Sequence, residues 1–319
     1  MPSPLEAFHA ARSFLNARLI GRPDLVDRLM IALLTSGHVL IEGAPGLAKT
    51  RAIRLFAQCV SARFVRIQAT PDLLPADLTG TTVFRPETGH FEFVQGPLFA
   101  NVVLMDEVNR APPKVQSALL EAMGEGQISA GGETRRLERP FLVAATQNPI
   151  EHEGTYPLPE AQLDRFLFFV TVPMPKEEEE RAILDLALDE SSAAPSLPHA
   201  FLSPGLLTDA QAQVRAVHVS AAIRDYVVRL VAATRGEGPG GAEAADIEHA
   251  ASPRGSIGLA QASQAAAWLA GRDHVLPGDV RGLARDVLSG RIGLTYKARA
   301  SGRTAGAVVD AIVAATPLT

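Results

Sequence analysis

Residues 38–60 constrain this chain more than any other segment. An apolar run, Val39 to Ile41, passes through Glu42 into Gly43-Ala44-Pro45-Gly46-Leu47-Ala48-Lys49-Thr50, and a pattern follows in which Ile53, Phe56, Ala57 and Val60 fall on one helical face. A strand, a glycine-bearing loop and a helix in that order make a phosphate loop. Successive loop N–H groups can wrap an anion, and the helix amino terminus adds partial positive charge. Lys49 can reach the β and γ phosphates, and Thr50 can hold Mg²⁺. The choice of Lys49 is informative, because only 4 of the 30 cationic residues are Lys, and a compact ammonium suits a crowded polyphosphate pocket. Gly43, Ala44, Pro45, Gly46, Leu47, Ala48, Lys49, Thr50 and the following Arg51 are the candidate nucleotide-binding residues. Ala48 stands where the general pattern has Gly; its N–H survives, but the methyl group restricts the backbone.

Four more apolar runs, Phe64 to Ile67, Val102 to Met105, Phe141 to Ala145 and Phe168 to Val172, make five expected buried strands with Val39 to Ile41. Strand and helix patterns alternate, so a mostly parallel sheet is expected. Two hairpins interrupt it, Thr81 to Arg85 with His90 to Val94, and Gln127 to Ala130 with Thr134 to Leu137; both are expected to be exposed. The acidic run Glu177 to Glu180 reads as a solvated first helical turn. Beyond a Ser, Pro and Gly segment at 191–205, only helical spacing remains. Ile223, Tyr226, Val227, Leu230 and Val231 share one face, as do Val280, Leu283, Ala284, Val287 and Leu288. The expected division is an α/β core over 1–190 and an all-helical domain over 191–319.

The second group of reactive residues lies at strand ends. Val102 to Met105 runs into Asp106-Glu107, which puts two carboxylates at the carboxyl end of a buried strand, where open α/β sheets place ligands. Asp106 is a candidate to bind Mg²⁺ through water, and Glu107, one residue further toward the γ-phosphate, a candidate to orient or deprotonate an attacking water. Asn148 ends the next strand, and its amide can hydrogen-bond both a γ-phosphate oxygen and that water. Arg165 precedes the last strand. In Ser252-Pro253-Arg254 the residues read as N-cap, first and second helical positions. A cation there opposes the helix dipole by roughly 0.3–1 kcal/mol, so Arg254 is expected to face an anion.

Composition excludes several classes. The 319 residues are 47% hydrophobic, enough for a sizeable core. A net charge of −5 and few aromatics disfavour a dedicated nucleic-acid binder. The single cysteine, Cys59, forms no intramolecular disulfide and is expected to be packed rather than redox-active; the His residues show no metal spacing. No membrane span or secretory leader is legible, and a cytoplasmic location is expected.

With these residues in hand, the chain resembles the MoxR family of AAA+ ATPases from about Ile20 to Leu294. The strings that carry the likeness are Gly43 to Thr50, Asp106 to Gln116, Gln147-Asn148-Pro149, Gly154 to Glu160, Ala161 to Phe166, and Ser252-Pro253-Arg254. The resemblance implies an AAA+ core with two hairpin insertions and a carboxyl-terminal helical lid. It implies that Gly43 to Thr50 is Walker A in an Ala variant, Asp106-Glu107 Walker B, Asn148 sensor 1 and Arg254 sensor 2. Arg165 becomes the arginine finger for a neighbouring subunit's nucleotide, with Arg110 a second candidate at that interface. The family departs from this chain at Ala250-Ala251, where members tend to have Gly-Ala, and at Gly290-Arg291, where they tend to have His-Arg.

By the same resemblance the expected activity is Mg²⁺-dependent ATP hydrolysis in a homo-oligomeric ring, usually a hexamer. That hydrolysis serves chaperone-like remodelling or maturation of a client, alongside a partner with a von Willebrand factor A domain. The alternatives are a slow nucleotide-dependent binding switch and a DNA-acting motor using hairpin cations such as Arg135 and Arg136.

Overall fold

The computed structural model describes residues 2–148, 155–192 and 200–318. Pro149, Gly154 and residues 193–199 of the expected boundary segment lie outside them. Helices α1 (Pro4–Asn16) and α2 (Pro23–Thr35) precede β1 (Val39–Glu42), and the phosphate loop leads into α3 (Lys49–Cys59). Then come β2 (Phe64–Gln68), the short α4 (Pro75–Thr79) and a hairpin of β3 (Gly80–Arg85) and β4 (His90–Gln95). β5 (Val102–Asp106) and α5 (Pro113–Glu125) follow, then a second hairpin, β6 (Gln127–Ala130) and β7 (Glu133–Arg136), and β8 (Leu142–Gln147). A one-turn α6 (Glu160–Leu163), β9 (Phe168–Thr171) and α7 (Glu177–Ser192) come next. The remainder is α8 (Pro204–Ala216), α9 (Ala221–Ala233), β10 (Ile247–His249), α10 (Pro253–Leu269), α11 (Pro277–Leu288), β11 (Gly293–Leu294), α12 (Tyr296–Ala300) and α13 (Ala305–Ala315).

The central sheet has five strands in the order β2-β5-β8-β1-β9. The pairings of β2 with β5, β5 with β8 and β8 with β1 are parallel, so these strands end on the same side of the sheet. Every residue of β5 is buried, and each large apolar side chain so placed contributes on the order of 1.5–3 kcal/mol relative to exposure. One expectation needs correction: β2 is not a buried strand. Of its residues only Ile67 is buried, because β2 forms a sheet edge and turns Arg66 and Gln68 outward. The first hairpin is exposed as expected, whereas the second is anchored by the buried Ile128.

The chain forms two compact units. One, the core unit, comprises Ala10–Leu158 and Thr171–Pro204; the other, the helical unit, comprises Met1–His9, Pro159–Val170 and Gly205–Thr319. This differs from a single cut between 190 and 191. The segment Pro159–Val170 groups with the helices because the buried Arg291 binds it: its guanidinium pairs with Asp164 at 3.0 Å and donates to the carbonyls of Phe166 and Leu167. The apolar faces read from periodicity on α9 and α11 are both buried. The helical unit also holds a short antiparallel ladder, β10 with β11, which helical spacing did not register. Among the described residues no helix is long and apolar enough to cross a membrane.

One buried polar group braces the core unit at the opposite end of β1 from the phosphate loop. His38 accepts the Val143 N–H at Nδ1 and donates from Nε2 to the Met123 carbonyl, at 3.0 and 3.1 Å. That pattern requires the neutral ring, and burial pushes its pKa down from 6.5 to about 4. Because the unfolded chain binds the proton more readily, His38 contributes stability that is complete above pH 6.5 and is lost as pH falls toward 4. The full loss is about 3 kcal/mol. Urea midpoints measured across this window should fall less steeply for His38→Gln than for the native chain; equal slopes would remove this role.

Candidate functional site

The carboxyl ends of β1, β5 and β8, together with edge strand β2, surround a cavity of about 400 Å³ in the core unit. Its walls are Pro45 to Arg51 of the loop and α3, Arg66 and Gln68 of β2, Asp106 and Glu107 after β5, and Thr146 and Asn148 at the end of β8. Lys49 donates through Nζ to the Gly43 carbonyl, which folds the loop around its own ammonium. Burial lowers the Lys49 pKa, opposed by the charges of Asp106 and Glu107. Arg51 lines the cavity while its guanidinium makes a two-point ion pair with Glu190 of α7, at 2.8 and 2.6 Å.

Asp106 is the most heavily bonded side chain of the site. Its Oδ1 accepts the Thr146 hydroxyl at 2.8 Å, and its Oδ2 accepts the Thr50 hydroxyl at 3.3 Å and Arg66 at 2.7 Å. A hydroxyl and a carboxylate side by side are the hard oxygen donors that a magnesium ion takes, completed by water and phosphate oxygens. Thr50 and Asp106 therefore fit such an ion. Among the described residues there is no cluster of three or more His, Cys, Asp or Glu for any other metal. Glu107 adopts a left-handed backbone, φ 55°, and its N–H donates to the Thr146 hydroxyl at 3.0 Å. Its Oε2 accepts from Gln68 and from Arg110, each at 2.9 Å. Arg110 thus sits on the proposed water-activating carboxylate. Asn148 is buried at the cavity wall.

Three residues of this wall escaped the sequence reading. Thr146 lies two positions before Asn148 on β8 and so shares its face, a period-two signal that was available. Arg66 and Gln68 alternate around Ile67, and polar side chains two apart in a strand beside Asp106 were the matching hint on β2.

Arg165 and Arg254 belong to the helical unit. The Ser252 side chain accepts the Arg254 N–H and Pro253 opens α10, the capping read from the sequence. Arg254 faces the carboxylate of Asp164 at 3.8 Å, an ordinary ion pair within the helical unit. Asp164 also accepts the Ser252 hydroxyl and pairs with Arg291, so the residue next to Arg165 gathers three partners. Arg165 is half-buried and directly follows it. Cys59 is buried, with its thiol pushed up to about 12 by desolvation, consistent with packing.

A family model described as the ATPase family associated with various cellular activities (AAA) matches residues 38–168, and an AAA lid domain model matches 241–312. The Chaperone MoxR1 of Mycobacterium tuberculosis is 48% identical over 88% of this chain and 74% of its own length. Protein MoxR of Paracoccus denitrificans is 35% identical over 100% of this chain and 99% of its own. The crystal structure of a candidate ATPase from Cytophaga hutchinsonii superposes with a TM-score of 0.89 at 38% identity, covering 99% of this chain and 96% of that one. The chain belongs to the MoxR family of AAA ATPases.

Two departures of this MoxR protein from common patterns now have physical content. At Gly290 a Cβ would stand 1.9 Å from the Phe169 ring, so no larger residue fits without moving that ring. At Ala48 the backbone is left-handed, φ 57°, the conformation for which glycine carries no steric cost. The methyl group there costs about 1–2 kcal/mol, of which the greater freedom of glycine in the unfolded chain takes back part. Ala48→Gly should therefore raise stability by up to about 1 kcal/mol, read as a higher denaturant midpoint at unchanged slope; a lowered midpoint would show that Ala48 is not strained.

Proposed function

We propose that this MoxR-family ATPase hydrolyses ATP with Mg²⁺ and uses the cycle to remodel or mature a partner protein. The observation that carries the reading is the meeting of the phosphate loop, Asp106, Glu107 and Asn148 around one cavity at the carboxyl ends of parallel strands. Loop N–H groups and Lys49 bind the phosphates, and Thr50 and Asp106 would hold the metal, which would supply positive charge against the charge that builds on the phosphate oxygens. Glu107, held by Gln68 and Arg110, takes the proton of the attacking water, and Asn148 orients that water against the terminal phosphate. Arg165 supplies transition-state charge to a neighbouring subunit's nucleotide, and Arg254 senses nucleotide from the lid. The Arg165 role requires a homo-oligomeric ring, of six subunits in our reading.

The client is a protein: the 48% identical relative is named a chaperone. The companion in this reading is a protein bearing a von Willebrand factor A domain. A hairpin cation that could favour DNA is otherwise engaged: Arg135 pairs with Glu133 at 2.6 Å and stacks on Phe93 at 3.8 Å.

The test is a paired assay of turnover and binding. Glu107→Gln should bind ATP as the native chain does while turnover falls about 10²–10⁴-fold. Arg165→Ala should lose about 10³–10⁵-fold in turnover with nucleotide binding to the single subunit unchanged, and native activity per subunit should rise with protein concentration. Native turnover in Glu107→Gln would contradict the assigned base, and concentration-independent activity would contradict the shared site.

A further inference from the structure

Arg66 lines the nucleotide cavity without a task in the reading above. Its Nε and Nη2 both stand 2.7 Å from Asp106 Oδ2, and Nη2 also donates to Gln68 Oε1 at 3.2 Å. Gln68 is fixed in turn by its bond to Glu107. Although the Arg66 side chain is 47% exposed, its planar fork is thus tied to two side chains of the site. An ionised carboxylate offers about four lone-pair positions, two on each oxygen. At Oδ2 those positions are taken by Arg66 and by Thr50. This is the oxygen beside the Thr50 hydroxyl, and so the one a metal would share with it.

We propose that Arg66 is the standing counter-cation of Asp106 and competes with the divalent metal for Asp106 Oδ2. The inference deepens the proposed function and rests on Asp106 being the metal carboxylate. Two consequences follow from charge alone. Without metal, the cavity still presents Lys49 and Arg66, beside Arg51 in its pair with Glu190, so it binds a nucleoside diphosphate with only modest dependence on Mg²⁺. With metal, Arg66 must leave Oδ2, which weakens the gain that the ion brings. Arginine suits this post better than lysine, because one planar fork spans Asp106 and Gln68 at once, where an ammonium is a single point charge.

The experiment is a calorimetric titration of the full chain with ADP, once in excess Mg²⁺ and once in EDTA, read as the ratio of the two dissociation constants. Arg66→Gln should enlarge the Mg²⁺ dependence by about tenfold, the size of one charge-assisted contact in a half-exposed pair. Metal-free binding weakens in that variant and metal-dependent binding gains. Arg66→Lys keeps the charge but not the fork and should fall between the two. Melting curves without nucleotide establish that each variant is folded, and the lysine variant carries the test if the glutamine one is not. A ratio unchanged from the native chain in the folded variants overturns the proposal. Asp106→Asn, titrated in parallel, separates this from the broader reading. Collapse of the Mg²⁺ dependence there, beside an indifferent Arg66→Gln, removes only the role of Arg66. Mg²⁺ dependence that survives intact in Asp106→Asn removes the metal assignment as well.

Discussion

The Asp106 carboxylate is the point on which the site is built. It lies at the end of a fully buried strand and is bonded from three directions, by Thr146 on β8, Thr50 on α3 and Arg66 on β2. A carboxylate at the end of a buried interior strand is costly unless hydrogen-bonded and charge-balanced. Here the satisfaction comes from neighbouring strands, so it exists only if β2, β5 and β8 pair in parallel and in this register. Fold and site therefore specify each other: a slip of β8 by one residue would turn Thr146 and Asn148 away from Asp106 together.

Strain marks the same place. Among the described residues only four that are not glycine have positive φ, and Ala48 and Glu107 are two of them. One leads the loop into α3, and the other aims the Glu107 carboxylate at the cavity. Glu107 depends on the Thr146 hydroxyl, which accepts its N–H while donating to Asp106. One oxygen atom of Thr146 thus holds the Asp106 carboxylate and the Glu107 backbone together.

Much of this was legible in the sequence because the decisive signals are local. The phosphate loop is contiguous, Asp106-Glu107 and Asn148 announce themselves by ending apolar runs, and the helical faces of α9 and α11 follow a period of 3.6. What stayed hidden depends on contacts between distant segments. That β2 is an edge strand is a property of sheet order, which no window of residues encodes, and so Arg66 and Gln68 were passed over. Nor does a window show that Arg291 binds a segment some 120 residues earlier through Asp164, Phe166 and Leu167. That one buried guanidinium ties the Pro159–Val170 stretch to the helical unit.

The account stands on a single triphosphate pocket formed by loop and strand ends, and the most direct measurement is calorimetry with a non-hydrolysable ATP analogue and Mg²⁺. The native chain should take up one nucleotide per subunit, and Lys49→Ala, folded to the same melting profile, should bind at least about tenfold more weakly. Absence of binding to well-folded native protein, or equal affinity in the two, would contradict it.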